Sequence, residues 1–272
     1  MHDVRFLHIP KTAGSTFANI LISRYGLHRS FQFIGRLEED RKRWDRLPGP
    51  VRDRTALFLC HSPLVTGIDK ADRAGIITFL RDPFTRVKSF CQHVYEGKSP
   101  YLRHKFPPFA FSAADILASG ELELDNLQTS VLAGYAGGGR PVGPRPENPG
   151  QLLDRAWQTL SRDLLCFGLL EQFDPSILLF ARKLGWTQTP WYVRVNRHSR
   201  SRKLEFTDRD LERIRDLNRL DSELYQRAQV LFRQRLDEAG LNSEIVQRFR
   251  RANRGRTVYT ALKWLPIRLQ LK

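Results

Sequence analysis

The stretch that most constrains this chain lies almost at its start: Phe6-Leu7-His8-Ile9-Pro10-Lys11-Thr12-Ala13-Gly14-Ser15-Thr16-Phe17. Val4, Phe6, Leu7 and Ile9 form an apolar run that reads as a short strand. Pro10 and a small-residue turn follow. Beyond them Phe17, Ile20, Leu21 and Tyr25 recur at helical spacing as far as Gly26. Strand, tight loop and helix in that order aim backbone N–H groups and a helix N-terminus at one spot, which suits an anion. Gly14 lets the backbone approach closely. Thr12, Ser15 and Thr16 carry hydroxyls, and Lys11 brings a full positive charge. The spacing is not that of the nucleoside-triphosphate loop G-x-x-x-x-G-K-[ST], because here the lysine precedes the glycine and the loop is shorter. The plain alternative is an ordinary strand-to-helix turn with Lys11 facing solvent.

Two more apolar runs end in chemistry-bearing residues. Thr55-Ala56-Leu57-Phe58-Leu59-Cys60 is continuous, as befits a strand covered on both faces in a parallel sheet, and it delivers His61-Ser62-Pro63 at its C-terminal end. Ligands of open α/β sheets sit at that edge. There a histidine serves either proton chemistry or a structural bond to a carbonyl. Gly75-Ile76-Ile77-Thr78-Phe79-Leu80 ends in Arg81-Asp82-Pro83, followed by Thr85, Arg86 and Ser89. Asp82 suits an N-cap and Pro83 a first helical position. Arg81 then sits at the strand tip with Ser89 on the next helix, a pair able to hold a phosphate by charge-assisted bonds; a capped helix with a surface arginine is the alternative.

Further along, Leu152 to Leu160 reads as an amphipathic helix, Leu164 to Gly168 as a buried strand, and Asp174-Pro175 as the start of another helix. Thr207 with Asp210 makes a capping box, and Asp221 is expected to cap the helix carrying Leu224, Tyr225, Ala228, Leu231 and Phe232. Residues 28–54, polar and basic, read as a connecting helix or helix-loop. Alternating strands and helices predict an α/β fold: a central parallel sheet flanked by helices, with right-handed crossovers.

The order P-K-T-A-G-S-T-F at residues 10–17 resembles the phosphosulfate-binding loop of sulfotransferases that use 3′-phosphoadenosine 5′-phosphosulfate (PAPS). More narrowly, it is similar to the carbohydrate-sulfating branch with its Golgi enzymes and bacterial relatives. R-D-P-x-x-R-x-x-S at 81–89 resembles the 3′-phosphate-binding segment of the same family. D-N-L-Q-T-S at 125–130 resembles a D-N-x-Q-T-R segment, with Ser130 where relatives carry Arg. F-G-L-L-E-Q-F-D-P at 167–175 and the L-D-x-E-L-Y run at 220–225 extend the likeness over roughly residues 4–235.

This resemblance implies a P-loop-like three-layer fold, PAPS as donor with PAP as product, and no metal. It assigns the donor to Lys11, Thr12, Ala13, Gly14, Ser15, Thr16, Arg81 and Ser89. From a late loop that closes over the nucleotide in relatives, Asn196, Arg200 or Lys203 is expected to join them. Lys11 and His61 become the catalytic pair, His61 matching a histidine that acts as general base. The acceptor it implies is a carbohydrate hydroxyl, with no nucleic-acid partner, and the Ser130 replacement puts an acceptor contact of the relatives in question. Glu171 is expected to fix backbone geometry.

Composition sets the outer limits. The chain has 272 residues and 41% hydrophobic residues, enough for one α/β unit with a real core. Residues 1–247 read as that domain. Within it, 136–150 carries nine Gly or Pro and reads as a mobile loop, on which Arg140 and Arg145 are candidates for an anionic substrate. A net charge of +16 speaks for a polyanionic partner, although 35 Arg against 10 Lys also fits a nucleotide bias of the genome. Two rivals stay in play: a polyanion-binding module that uses this charge, and a kinase-like phosphotransferase of the P-loop class, for which Asp82 is the one candidate to hold Mg²⁺ and is better used as a cap. Cys60, Cys91 and Cys166 lack metal spacing and read as buried thiols in a reducing compartment. With no leader sequence or spanning run recognisable, a cytoplasmic protein is expected, the alternative being a soluble catalytic portion of an anchored one. Residues 248–272 form a basic, apolar tail, open to an anionic membrane surface or to docking on the body.

Overall fold

The computed structural model describes residues 2–137, 140–188, 190–192 and 202–255. Its centre is a parallel sheet of β1 (Val4–Leu7), β2 (Ser30–Phe33), β3 (Leu57–Cys60), β4 (Gly75–Leu80) and β7 (Cys166–Leu169), ordered β2-β3-β1-β4-β7. A two-stranded antiparallel hairpin, β5 (Ala136–Gly137) and β6 (Arg140–Pro141), lies apart from it. The flanking helices are α1 (Gly14–Tyr25), α2 (Leu37–Asp45), α3 (Gly49–Arg54), α4 (Asp69–Arg73), α5 (Pro83–Tyr95) and α6 (Ala113–Leu117). The later ones are α7 (Leu127–Leu132), α8 (Pro149–Gln158), α9 (Phe173–Lys183), α10 (Asp208–Leu217), α11 (Arg219–Glu238) and α12 (Ser243–Gly255). This is the α/β architecture of a parallel sheet between helices that the alternating pattern predicts.

Strand order places β1 at the centre, with β3 on one side and β4 on the other. The chain leaves β1 toward β2 and β3, and leaves β4 toward β7. The switch point therefore lies between the C-terminal ends of β1 and β4, where such sheets open a crevice. Side-chain alternation feeds separate cores. On β3, Leu57 and Leu59 join the main core with Phe17, Ile20 and Phe180, while Phe58 joins an aromatic cluster of Phe31, Phe33 and Trp44.

β2 corrects the expectation for residues 28–54. Ser-Phe-Gln-Phe is short and charge-flanked, so nothing in its periodicity stands out. As an edge strand it needs few residues: Phe31 and Phe33 are buried while Gln32 is exposed, and Phe31 meets Trp44 edge-on at 5.2 Å. Asp221 is likewise reassigned. It is the third residue of α11 and accepts bonds from Gln128 N (3.1 Å), Thr129 N (2.7 Å) and Thr129 Oγ1 (2.7 Å), so it caps α7 from another helix. Thr207 and Asp210 do form the expected capping box on α10.

In the 136–150 segment, Arg145 bonds the Asp125 carboxylate (2.8 Å) and carbonyl (2.7 Å). That guanidinium is thus committed within the fold and withdrawn as a free anion contact. Of residues 248–272, those to 255 continue α12, whose Phe249 and Val246 are buried in the main core; the rest lie outside the described residues. No helix among the described residues is long and apolar enough to cross a membrane.

Inside β1 the apolar reading passes over Arg5, which is only 1% exposed. Its Nη2 donates to the Leu64 carbonyl at 2.6 Å, and its Nη1 to Asp72 Oδ1 at 3.1 Å and the Pro63 carbonyl at 3.3 Å. Asp72 in turn accepts from Thr66 N (2.8 Å) and Gly67 N (2.7 Å). A cation in the central strand thus fixes the loop that follows His61. Removing one partner of such a pair strands the other, so Arg5→Leu is expected to cost about 3 kcal/mol of stability, read from urea unfolding.

Candidate functional site

The turn between β1 and α1 has an unusual backbone. Lys11 (φ 70°) and Ala13 (φ 79°) are both left-handed without being glycine, a conformation that costs energy and clusters at ligand sites. Alternating handedness makes consecutive N–H groups converge in an anion-binding concavity. α1 then begins at Gly14 with no side-chain cap, so its first N–H groups face outward without intrahelical acceptors. Ser15 is exposed at this end. Thr12 is fully buried and its hydroxyl donates to the Ile9 carbonyl at 2.8 Å, so that side chain holds the loop's shape.

Arg81, at the tip of β4, crosses the switch point. Its Nη1 donates to the Lys11 carbonyl at 3.1 Å and its Nε to Thr85 Oγ1 at 3.2 Å; Nη2 has no partner among the described residues. The Arg81 backbone is gripped at both ends by the buried Gln128 amide: Arg81 N donates to Oε1 (2.9 Å), and Gln128 Nε2 donates to Arg81 O (2.8 Å). Glu171 accepts Asp82 N at 3.0 Å and the Tyr225 hydroxyl at 2.5 Å, fixing backbone as expected. Asp82 caps α5 through Thr85 N at 2.8 Å. Ser89 is half-buried on α5. Asn196 and Arg200 lie outside the described residues.

Basic groups cluster around the turn. Lys11 Nζ makes no hydrogen bond or ion pair among the described residues. Burial lowers its pKa to about 8, with Arg81 and Lys98 adding to the fall and Glu96 opposing it. His93 of α5 is lowered to about 4 by burial, then by Lys11 and Lys98. Acids stand near this group, Glu96 paired with Lys98 and Glu171 and Asp82 beside Arg81. Lys11 is still left partly desolvated without an ion pair among the described residues, a cost that a bound anion would relieve. The turn therefore suits an anion at Lys11 and the α1 N-terminus, with the Arg81 guanidinium at the same crevice.

His61 follows β3 and is lowered by burial, an effect partly offset by hydrogen bonding to the His8 backbone. Its Nδ1 is buried without a partner. It forms part of the wall of a cavity of about 700 Å³, together with Gly35, Arg36, Lys42, Pro63 and Gly137. Gly137 is required there: a Cβ would fall 2.7 Å from Pro63 Cα, so the hairpin rests directly on the loop after β3. Ser130, at the position where an arginine was expected, is fully buried and donates to the Asn126 carbonyl of its own helix at 2.8 Å. It is not part of the wall of the cavity beside His61.

The side chain that sequence reading left without a role is His8. β1 and β3 pair Val4 with Leu57 and Arg5 with Phe58, and the same offset carried past the strand ends sets His8 beside His61. Their ring centroids are 4.7 Å apart. The offset between the two runs was the available signal, readable only once their pairing is known. Gln128, His93 and Lys98 were missed because their roles depend on contacts between distant elements.

No model of a known protein family matches the chain, and the comparison with curated proteins gives no match either.

The histidines make stability pH-dependent. Below about pH 6.5 the unfolded chain takes up protons at its histidines, while the folded chain resists them at His8, His61 and His93, the last down to about pH 4. Stability is therefore expected to fall as pH drops through that window, since the unfolded state binds more protons there. Urea midpoints across the range measure the slope, and His93→Gln should flatten part of it.

Proposed function

We propose that this protein is a PAPS-dependent sulfotransferase that moves the sulfuryl group to a hydroxyl of an acceptor, a carbohydrate being favoured by the family it resembles. The observation that carries the proposal is the bond from Arg81 to the Lys11 carbonyl. It joins the two turns whose motifs the resemblance assigns to the two anionic ends of one nucleotide. Bound there, PAPS supplies an activated sulfuryl on a phosphate leaving group.

The chain's residues supply positioning and charge, which carry most of the rate in transfers of this type. Lys11 and the α1 N–H groups stabilise charge at the leaving end. Arg81, with its open Nη2, and Ser89 hold the 3′-phosphate end. His61, kept neutral at pH 7 by its burial, takes the proton of an acceptor hydroxyl presented from the adjoining cavity. The buried free thiols Cys91 and Cys166, both pushed up to about 12 by burial, suit a reducing compartment, and a cytoplasmic location belongs to the same proposal.

PAP is expected to raise the melting temperature at micromolar concentrations while ATP with Mg²⁺ does not; the reverse ranking favours a kinase. Binding of heparin that is insensitive to Lys11→Ala and His61→Ala, with no PAP response, favours a polyanion-binding module. Arg81→Ala should weaken PAP about 10- to 100-fold, the worth of lost bonds to a charged group. His61→Ala should leave PAP affinity within a few-fold and lower sulfuryl turnover by about 10²–10⁴.

A further inference from the structure

His8 occupies the space between the proposed base and the proposed anion loop. Its ring stacks on Phe6 (centroids 5.5 Å, planes 23° apart) and faces His61 at 4.7 Å. Its third neighbour is Gly14: a Cβ added there would lie 1.8 Å from His8 Nε2. The glycine at the start of α1 is thus needed to admit the imidazole edge as well as to shape the turn. Neither ring nitrogen of His8 has a hydrogen-bond partner among the described residues. Its pKa lies well below the ordinary value, through burial first and then through His61 and Lys11, so the ring is neutral at pH 7. A neutral imidazole carries one N–H donor and one acceptor nitrogen. The ring is partly buried and its Nε2 lies directly beside the open N-terminus of α1, where an anion would sit.

We propose that His8 is a second catalytic imidazole, whose Nε2–H donates a hydrogen bond to an oxygen of the sulfuryl group while that group passes between donor and acceptor. This rests on the sulfotransferase reading and deepens it. In the step, an acceptor oxygen lone pair forms the new O–S bond as the S–O bond to the nucleotide phosphate breaks, and that bond's electron pair leaves on the phosphate. The acceptor proton goes to His61. His8 gains and loses nothing; its N–H stabilises negative charge on the sulfuryl oxygens, and its own charge state does not change.

The division of labour differs from that of His61. Only His61 lines the cavity, so it alone reaches an acceptor hydroxyl, whereas His8 reaches the loop end of the site. A donor of this kind is worth about 10²–10³ in turnover.

The test uses the full-length chain, with consumption of PAPS measured in the presence of a glycan panel and PAP affinity measured by thermal shift. His8→Phe preserves the stacking on Phe6 and removes the donor; His8→Gln keeps an amide N–H. The expected result is a fall of about 100-fold in turnover for His8→Phe, recovery of about tenfold in His8→Gln, and PAP affinity within threefold of wild type in both. Turnover of His8→Phe within twofold of wild type overturns the inference. So does equal loss of turnover in both variants accompanied by loss of PAP binding, which would make His8 a packing residue of the loop. In either case active wild-type protein and inactive His61→Ala leave the sulfotransferase reading standing. Wild-type protein that neither binds PAP nor consumes PAPS overturns that reading and this inference together.

Discussion

Arg81 donating to the Lys11 carbonyl is the contact on which the site depends, because it ties together two turns that nothing local brings near each other. β1 and β4 are adjacent in the sheet but 70 residues separate the bonded pair. Their turns meet because the chain departs from these strands in opposite directions, opening the crevice between them. The arginine is itself held from the C-terminal half. Gln128 grips both of its backbone polar groups, Asp221 of α11 caps the helix that carries Gln128, and Glu171 fixes the next peptide while bonding Tyr225 of α11. The most N-terminal motif is therefore shaped by residues more than a hundred positions away.

The same region concentrates unfavourable terms. Two left-handed non-glycine residues, an uncapped helix start, a partly buried lysine beside an arginine and two adjacent imidazoles lie within one patch. Elsewhere the chain obeys ordinary rules: Thr207 and Ser112 build capping boxes, Asn148 caps α8 and Arg145 meets Asp125. Local violations gathered at one sheet edge, in an otherwise consistent fold, are the pattern expected of a functional or strained site. Arg5 supports the same edge. By pinning residues 63–67 it keeps the loop after His61 from relaxing into the cavity beside it.

Much of this was legible in the residues themselves. The strand-turn-helix at 4–25, the strand ending at His61 and the strand ending at Arg81 with its Asp82-Pro83 cap all show strong local patterns, and the structure has them within two residues of the expected bounds. β2 was not legible, since four residues at a sheet edge need only two aromatic side chains to anchor them. Arg5 was hidden within an apolar run because one strand position had to face the carbonyls of a neighbouring loop. Asp221 was read as a local cap because sequence shows the acceptor but not the distant donors.

By itself, then, the amino-acid order determined which residues form strands and helices and which polar groups stand at strand ends, since periodicity, capping and turn preference act over a few positions. Tertiary structure alone decided which of those ends meet. The register of β1 on β3 set His8 beside His61, and the placement of β1 against β4 brought Lys11 to Arg81. Pairing between strands fifty or seventy residues apart is settled by collective burial of the sheet's faces, a property that no single stretch of the chain contains.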